Sequence, residues 1–562
     1  MKPRLLLILI LLLTALVYSG LLHAGYAWDD YSLVRDNAYT RDWSNLGAFF
    51  SLDLWETTRL APHASGFYRP LFLTTLAVDH SLFGLHPGGA HMHSLAWHLL
   101  AIGLLFELGR RLDGALTGLM ASTLFALHPV QHEAVALIAA RNDSMATAFA
   151  LICLLLLLQP TASKRRVFAG SVALFLALLS KESAVLTPVV LWAFDRTRGV
   201  QSGRRLRYLG LLVATGAYLV LRGASSVGES SWPTSEQWQA GFSHAPSILG
   251  TYSEMLVWPT ALSPARSMNF LDTNQDLLPF LGVTLLGLGL MLRASRREPL
   301  IGPCLLWAAL CLAPTVLVTV GKGNLGERYL YMPMAGLSLA LAFALPKNRT
   351  VAVAFLGFVV LATTQIVPRN QAWRDYATLW QAAYEDRPSA YTAGGYAWAK
   401  ENIENDPIGA RDLYMEALRG DPPYHSACEA AVLVNVRLER FESAVAVAEW
   451  AHQERGCPPT PMFTDALLYS LGGSAQHQRI RETFGTRPGG PKPSPGATLA
   501  YAAQSRDSAG IRNILNSSPE PKAQLGQAFF FLDEVVRDRE TETWLREQTS
   551  LLEVGGVSGT LP

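Results

Sequence analysis

Charge is scarce in this sequence. Only 16% of its 562 residues are Asp, Glu, Lys or Arg, against about a quarter in an ordinary soluble chain. A single soluble globular domain is therefore a poor description of the whole. Cysteine is scarce too. The five (Cys153, Cys304, Cys311, Cys428, Cys457) form no CxxC pair and no metal spacing, which excludes a zinc module and a dense disulfide framework. Cys428 and Cys457 have the option of pairing in an oxidising compartment, but they are read as two free buried thiols. There is no HExxH, and no clear A-x-A site follows the first apolar run, so Met1–Gly20 is read as an uncleaved first helix. Lysine is rarer than arginine, 8 against 38, which points to a GC-rich bacterial genome. The net charge of +1 hides an asymmetry, with +7 over residues 1–367 and −6 over 368–562. The basic excess is loop charge and not a nucleic-acid footprint.

What the chain has instead is long apolar runs, and they stop at Val367. Eleven are counted: 5–22, 92–109, 114–128, 143–159, 166–180, 183–195, 207–222, 278–293, 300–319, 329–346 and 350–367. The first alone, at 1.5 Å per residue, spans about 27 Å. The basic clusters Arg110-Arg111, Lys164-Arg165-Arg166, Arg196 to Arg207, Arg293 to Arg297 and Lys347/Arg349 fall on one side with Lys2 and Arg4. That side is the cytoplasm, so eleven spans place the C-terminus outside. Segment 246–262 is apolar enough to insert, but as a full span it would move Arg293 to Arg297 outside. With Pro259 and Pro264, it is read as re-entrant or interfacial. The outer loops are then 23–90, 129–142, the Lys181-Glu182 corner, 223–277 and 321–328. Trp43 to Trp55 is expected to lie along the interface.

After Pro368 the pattern changes to short amphipathic helices. Ala410, Tyr414 and Ala417 recur 34 residues on as Ala444, Ala448 and Ala451, and Pro388 recurs at Pro422. Small residues at those offsets let paired helices pack closely, which is the tetratricopeptide (TPR) pattern in degenerate form. An irregular helical repeat is the plainer alternative. The divisions are 1–367 membrane domain, 368–483 repeats, 484–497 Gly/Pro linker, and 498–562 a last helical segment with a disordered tail.

The outer side carries the polar residues that need a reason. Asp29 and Asp30 follow the first span, and ionisable groups near a bilayer tend to be functional. A hydroxyl acceptor needs a base beside it, and a carboxylate serves. The structural alternative is that one of the pair caps a helix over 31–39. His128, His132, Glu133, Arg141 and Asp143 share one short outer loop. His132-Glu133 lacks a third metal ligand, and Asp143 has the alternative of capping the next helix. Lys181-Glu182 reads most simply as a self-satisfied ion pair. Glu327, Arg328 and Tyr331 follow a Gly-rich turn, where an arginine suits a lipid phosphate. Arg69 sits similarly before an apolar stretch. His86, His91, His93 and His98 look like a metal cluster, but helical spacing spreads them, with only His91 and His98 on one face.

The ordered segments WDD (28–30), FYRPL (67–71), LFALHPVQHEAVALIAARND (124–143), LLSKESAV (178–185), GERYLYMP (326–333) and RNQAWRDYATLW (369–380) resemble the GT-C superfamily of polyprenyl-phosphate-sugar glycosyltransferases. More narrowly, they resemble the transmembrane-and-tetratricopeptide-repeat O-mannosyltransferases and their bacterial relatives. The resemblance implies a polytopic all-α membrane protein of about 11 transmembrane helices with a C-terminal TPR-like domain. It implies an inverting transfer of a monosaccharide, mannose in that family, from a polyprenyl-phosphate donor to a protein Ser/Thr hydroxyl on the outer side. Asp29 would be the base and Asp30 its companion. Arg328 would best hold the lipid phosphate, with Arg69, Arg141 and Lys181 as weaker candidates. His128, His132, Glu133, Asp143, Glu182, Glu327 and Tyr331 complete the substrate-binding set. No cofactor and no metal are expected. The segment 246–268 resembles the family's Leu-Ser-Pro loop but lacks its acidic residue, since Ala265-Arg266-Ser267 follows Pro264.

The expected location is the bacterial inner membrane with the C-terminal domain periplasmic, where repeats would bind an acceptor polypeptide. Two other readings remain open: a glycan or lipid-linked acceptor for the same donor, and a non-catalytic scaffold presenting the repeats. A transporter should carry its ionisable residues near mid-span, whereas here they cluster at span ends.

Overall fold

The computed structural model describes residues 2–58, 65–159, 163–200, 203–227, 235–259, 266–267, 278–322, 324–420, 424, 426–457, 500, 502–504, 506, 511, 513–515, 524, 527–529, 532 and 538–551. These fold as two compact units, Met1–Asp386 and Arg387–Pro562. The described residues are almost wholly helical. The strands among them are the two-residue pair Arg266–Ser267 and Asn324–Leu325, antiparallel to each other. The expected linker 484–497 and the tail lie outside the described residues.

Each of the eleven apolar runs coincides with a helix. The first unit is built from α1 (Pro3–Val17), α2 (Pro70–Phe83), α3 (Pro87–Asp113), α4 (Ala115–Leu127), α5 (Arg141–Leu157), α6 (Lys164–Ser180), α7 (Thr187–Thr197), α8 (Arg204–Gly223), α9 (Ala245–Val257), α10 (Leu278–Ala294), α11 (Ile301–Lys322), α12 (Tyr331–Ala344), α13 (Arg349–Ala372) and α14 (Tyr376–Asp386). Among the described residues, three stretches are long and apolar enough to cross a bilayer: Pro87–Asp113, Ile138–Leu157 and Arg349–Ala372. Proline at the first helical position, where its missing N–H costs nothing, starts α1, α2 and α3. Ser163 and Asn348 cap α6 and α13 through backbone N–H groups of Arg166 and Val351.

Burial ranks the helices. The Ile138–Leu157 window is 83% buried and the α13 window 11%, so α5 is the centre and α13 the rim. On α8, Arg207, Leu211, Ala214 and Tyr218 face inward at helical spacing. Its other face exposes Leu209, Leu212, Val213 and Val220. Contiguous exposed apolar faces of this kind belong against lipid, because water would penalise them. Arg207 is buried at the core side of α8, where it meets Asp195 at 3.1 Å and the Leu157 carbonyl at 2.7 Å.

Three features bear on the expected layout. The loop 23–90 contains α2, which is 14 residues long, about 21 Å. It is shorter than a bilayer core, and Asp79 and His80 interrupt its apolar pattern. The helix α9 has 13 residues, also about 20 Å, in keeping with a segment that does not cross. The first compact unit ends at Asp386 and not at Val367. Pro368 sits inside α13 without ending it, and Tyr376 and Trp380 then pack edge-on against Tyr31 and Trp28.

The second unit holds helix pairs Ala390–Asn402 with Pro407–Arg419 and Ala427–Arg437 with Phe441–Arg455. Helix starts at 407 and 441 preserve the 34-residue period, and Ala410, Tyr414, Ala417, Ala444, Ala448 and Ala451 are all buried. A Cβ at Gly394 would lie 2.4 Å from the Tyr424 ring, so only glycine lets that ring seat. Cys428 and Cys457 form a disulfide, with Cα atoms 6.0 Å apart, which corrects the free-thiol reading. The antiparallel hairpin brings the start of one helix beside the end of the next, a proximity that sequence separation hides. Cys153, Cys304 and Cys311 are free and buried.

Helices α3 and α4 cross where Gly109 meets Gly118. A Cβ on Gly118 would stand 2.4 Å from the Phe106 carbonyl oxygen and 3.0 Å from the Arg110 nitrogen. Small residues permit such backbone approach in membrane bundles. Gly118→Val is expected to cost about 1–3 kcal/mol, read as a lower unfolding temperature in detergent, whereas Gly103→Val, in open space, serves as the neutral control.

Candidate active site

The site begins with backbone strain. Trp28 adopts φ +46, a left-handed conformation that is unusual for a bulky side chain and concentrates at functional sites. The chain turns there, and the two following carboxylates part company. Asp30 is fully buried. Its Oδ1 accepts the Ala139 N–H at 2.7 Å, and its Oδ2 accepts those of Ile138 at 3.3 Å and Ala27 at 3.4 Å. Burial raises its pKa to about 7, with the three amides opposing. Asp30 thus ties the turn to the 137–141 segment. It caps no helix: residues 31–35 form a single turn that takes no side-chain cap from it.

Asp29 faces the other way. Its side chain keeps 23% exposure, and Arg328 Nη2 lies 3.9 Å from its Oδ2. Burial raises its pKa above the usual carboxylate range, Arg328 opposes this, and Glu133 adds to it. Arg328 is held from behind. Its Nη1 binds Glu133 Oε1, while Glu133 Oε2 accepts the backbone N–H groups of Glu327 at 2.7 Å and Arg328 at 3.2 Å. The guanidinium also lies 4.9 Å from the Trp28 ring centre and 5.3 Å from that of Tyr329, within cation–π range. Glu327 turns away to take Arg369 at 2.9 and 3.1 Å.

Lys181 and Glu182 do not pair with each other. Lys181 binds Asp143, and its ammonium sits 5.5 Å from the Tyr329 ring centre. Glu182 takes Arg69 at 3.2 Å and the Tyr68 N–H at 2.9 Å. The extended backbone at Lys181 separates the two side chains. Asp143 lies inside α5 and caps nothing. Burial holds the Lys181 ammonium below the usual lysine range. Asp143 opposes the shift, while Arg69 and Arg328 reinforce it. Three cations of different loops therefore sense one another around Tyr329, each partly exposed at 12%.

The remaining candidates serve the scaffold. Arg141 is fully buried, ion-paired to Asp79 at 2.5 Å and bonded to Ser94 Oγ at 3.0 Å and the Ala90 carbonyl at 2.8 Å. His132 is buried against Asn370 Oδ1 at 2.9 Å, and burial holds its pKa well below the usual value. His128 anchors the end of α9 through the Leu256 carbonyl at 3.0 Å. The Tyr331 hydroxyl meets His98 Nδ1 at 2.8 Å inside the bundle. His91 and His93 are taken by the Gly25 carbonyl and Asp79, so the histidines form no common centre. Trp28 and Tyr329 escaped the sequence reading as site residues. Their signal was adjacency to Asp29 and Arg328.

No family model matches the chain. A protein O-mannosyl-transferase of Caenorhabditis elegans is 24% identical over 446 residues, 74% of this chain and 63% of that one. The human protein O-mannosyl-transferase TMTC2 is 33% identical over 143 residues, 25% of this chain and 17% of that one. The chain resembles protein O-mannosyl-transferases. It spans less than two thirds of the length of either relative. The crystal structure of ArnT from Cupriavidus metallidurans bound to undecaprenyl phosphate overlaps 85% of this chain and 87% of that one, at 16% identity and a TM-score of 0.39, too low to carry weight.

The two aspartates should separate in stability measurements. Asp30→Asn turns an amide N–H₂ toward backbone donors and is expected to cost about 1–3 kcal/mol, while Asp29→Asn stays within about 0.5 kcal/mol. Separately, burial lets Asp30 hold its proton to about pH 7 against 3.8 ordinarily, so the folded state's preference for the protonated carboxyl stabilises it fully below the ordinary value and is lost as pH rises through about 7. Unfolding in detergent from pH 4 to 8 should show this slope in wild type and lose it in Asp30→Asn.

Proposed function

We propose that the chain is a membrane glycosyltransferase that moves mannose from a polyprenyl-phosphate donor to a protein Ser or Thr hydroxyl at the extracytoplasmic face. The observation that carries the reading is a partly exposed, basicity-enhanced carboxylate, Asp29, facing Arg328, with Lys181 and Arg69 close enough to Arg328 and Tyr329 to act on them. The resemblance to protein O-mannosyl-transferases supplies the sugar and the acceptor class.

In the proposed step the acceptor O–H gives its proton to the Asp29 carboxylate. The acceptor oxygen bonds to the anomeric carbon from the face opposite the phosphate, and the bond from that carbon to the phosphate oxygen breaks. The electron pair leaves with polyprenyl phosphate, giving inversion. Arg328, with Lys181 and Arg69, meets the charge that develops on the leaving phosphate, an effect amplified in a site shielded from water. Positioning contributes as well, up to about 7–11 kcal/mol in the best cases. The proton on Asp29 then returns to water. A raised pKa suits this role, because a carboxylate nearer neutrality is a stronger base.

The same reading places the protein in a bacterial inner membrane with the repeat unit outside. The positive loops support that side, and so does the Cys428–Cys457 disulfide, since such bonds persist in oxidising compartments. The paired helices would present the acceptor polypeptide.

Detergent-purified wild type, given a panel of polyprenyl-phosphate monosaccharides and a Ser/Thr acceptor extract, should transfer mannose. Asp29→Asn should lower the rate by about 10²–10⁴-fold with unchanged unfolding temperature. The acid limb of the wild-type pH–rate profile should lie above the ordinary carboxylate range. Equal rates in both proteins would remove Asp29 as base. Absence of turnover with every donor would favour a scaffold.

A further inference from the structure

A second cationic site lies at the other end of the first unit, where the basic loops cluster. A pocket of about 450 Å³ opens between the ends of α3, α5, α6 and α7. It is lined by Arg110, Arg111, Arg166 and Arg198, with Gln159 and Leu158 beside them. No part of the proposed transfer chemistry uses these groups.

The arginines are held in place. Arg111 donates to the Leu155 carbonyl at 3.1 Å, and Arg198 to the Leu158 carbonyl at 2.6 Å. These are carbonyls at the last turn of α5, which lack helical partners. Each such bond occupies one of five guanidinium donors and leaves others for a ligand. Arg110 and Arg111 share one carboxylate, Glu107. Among the described residues, Arg166 and Arg198 have no carboxylate partner. The lining therefore carries four cations against one anion. Loop charge that sets orientation accounts for the sign of these residues, but not for the gathering of four guanidinium groups from three separate segments around one pocket.

We propose that this pocket binds a phosphate-bearing anion at the cytoplasmic face. Arginine forks match phosphate oxygens bidentately, and basic pockets between membrane helices on this side take anionic headgroups. The lining that faces the pocket is mainly polar, which suits a headgroup phosphate more than acyl chain. A soluble phosphate would use the same arginines. The inference is independent of the transfer reaction.

The test uses full-length protein in detergent, titrated with phosphatidylglycerol or phosphatidylcholine and read by native mass spectrometry. Wild type should retain phosphatidylglycerol in preference to phosphatidylcholine. Arg166→Gln/Arg198→Gln should weaken that retention by about tenfold or more, and Arg166→Lys/Arg198→Lys should restore part of it. If the double variant misfolds, Arg166→Gln alone carries the test, because Arg166 is exposed. Displacement of the lipid by millimolar inorganic phosphate would assign the pocket to a soluble phosphate, and resistance to it would assign the pocket to a headgroup. Equal phosphatidylglycerol retention in wild type and the Gln variants, or no preference over phosphatidylcholine in wild type, would overturn the proposal.

Discussion

The Glu133 carboxylate is fully enclosed and carries three donors: two backbone N–H groups of the 327–328 turn and the Arg328 guanidinium. A carboxylate out of water demands such satisfaction, because an unpaired buried charge costs several kcal/mol. In meeting that demand, the protein fastens the 128–142 loop to the turn before α12 and fixes one guanidinium opposite Asp29. Removing Arg328 would leave the Glu133 carboxylate buried without its cation. The site's geometry follows from this one enforced pairing.

The same logic recurs around it. Asp30 consumes two amides of the 138–139 turn, and Arg141 is enclosed with Asp79. His128 satisfies the Leu256 carbonyl in the last turn of α9. Each fastens a loop that could not otherwise be buried, since loop backbone carries polar groups that need partners. Much of the polarity on the outer side is therefore mounting, and among the candidate site residues the groups left partly open to solvent are Asp29, Arg328, Lys181, Arg69 and Glu182. That partition, between polar groups satisfied inside and polar groups left facing out, distinguishes candidate chemistry from support.

The helices were legible because hydropathy and length are local properties, so every apolar run from Leu5 to Val367 became a helix. The repeat period was legible from Ala410 and Ala444 for the same reason. The separation of Arg328 from Arg141 was not. Both are arginines in outer-side motifs, and only the arrival of Asp79 and Ser94 from other helices buries Arg141. Lys181 and Glu182 look like an ion pair in sequence but find Asp143 and Arg69 in space. The helix α2 was hidden by its polar residues, Asp79 and His80, the first of which is the buried partner of Arg141. The disulfide depended on the hairpin that joins its ends.

A double-mutant cycle on sugar transfer, with Glu133→Gln, Arg328→Gln and the double variant, tests the central coupling most directly. If Glu133 acts by holding Arg328, the double variant should lose no more of kcat/KM than Arg328→Gln alone. Losses that multiply would mean the two residues act independently and would contradict the account.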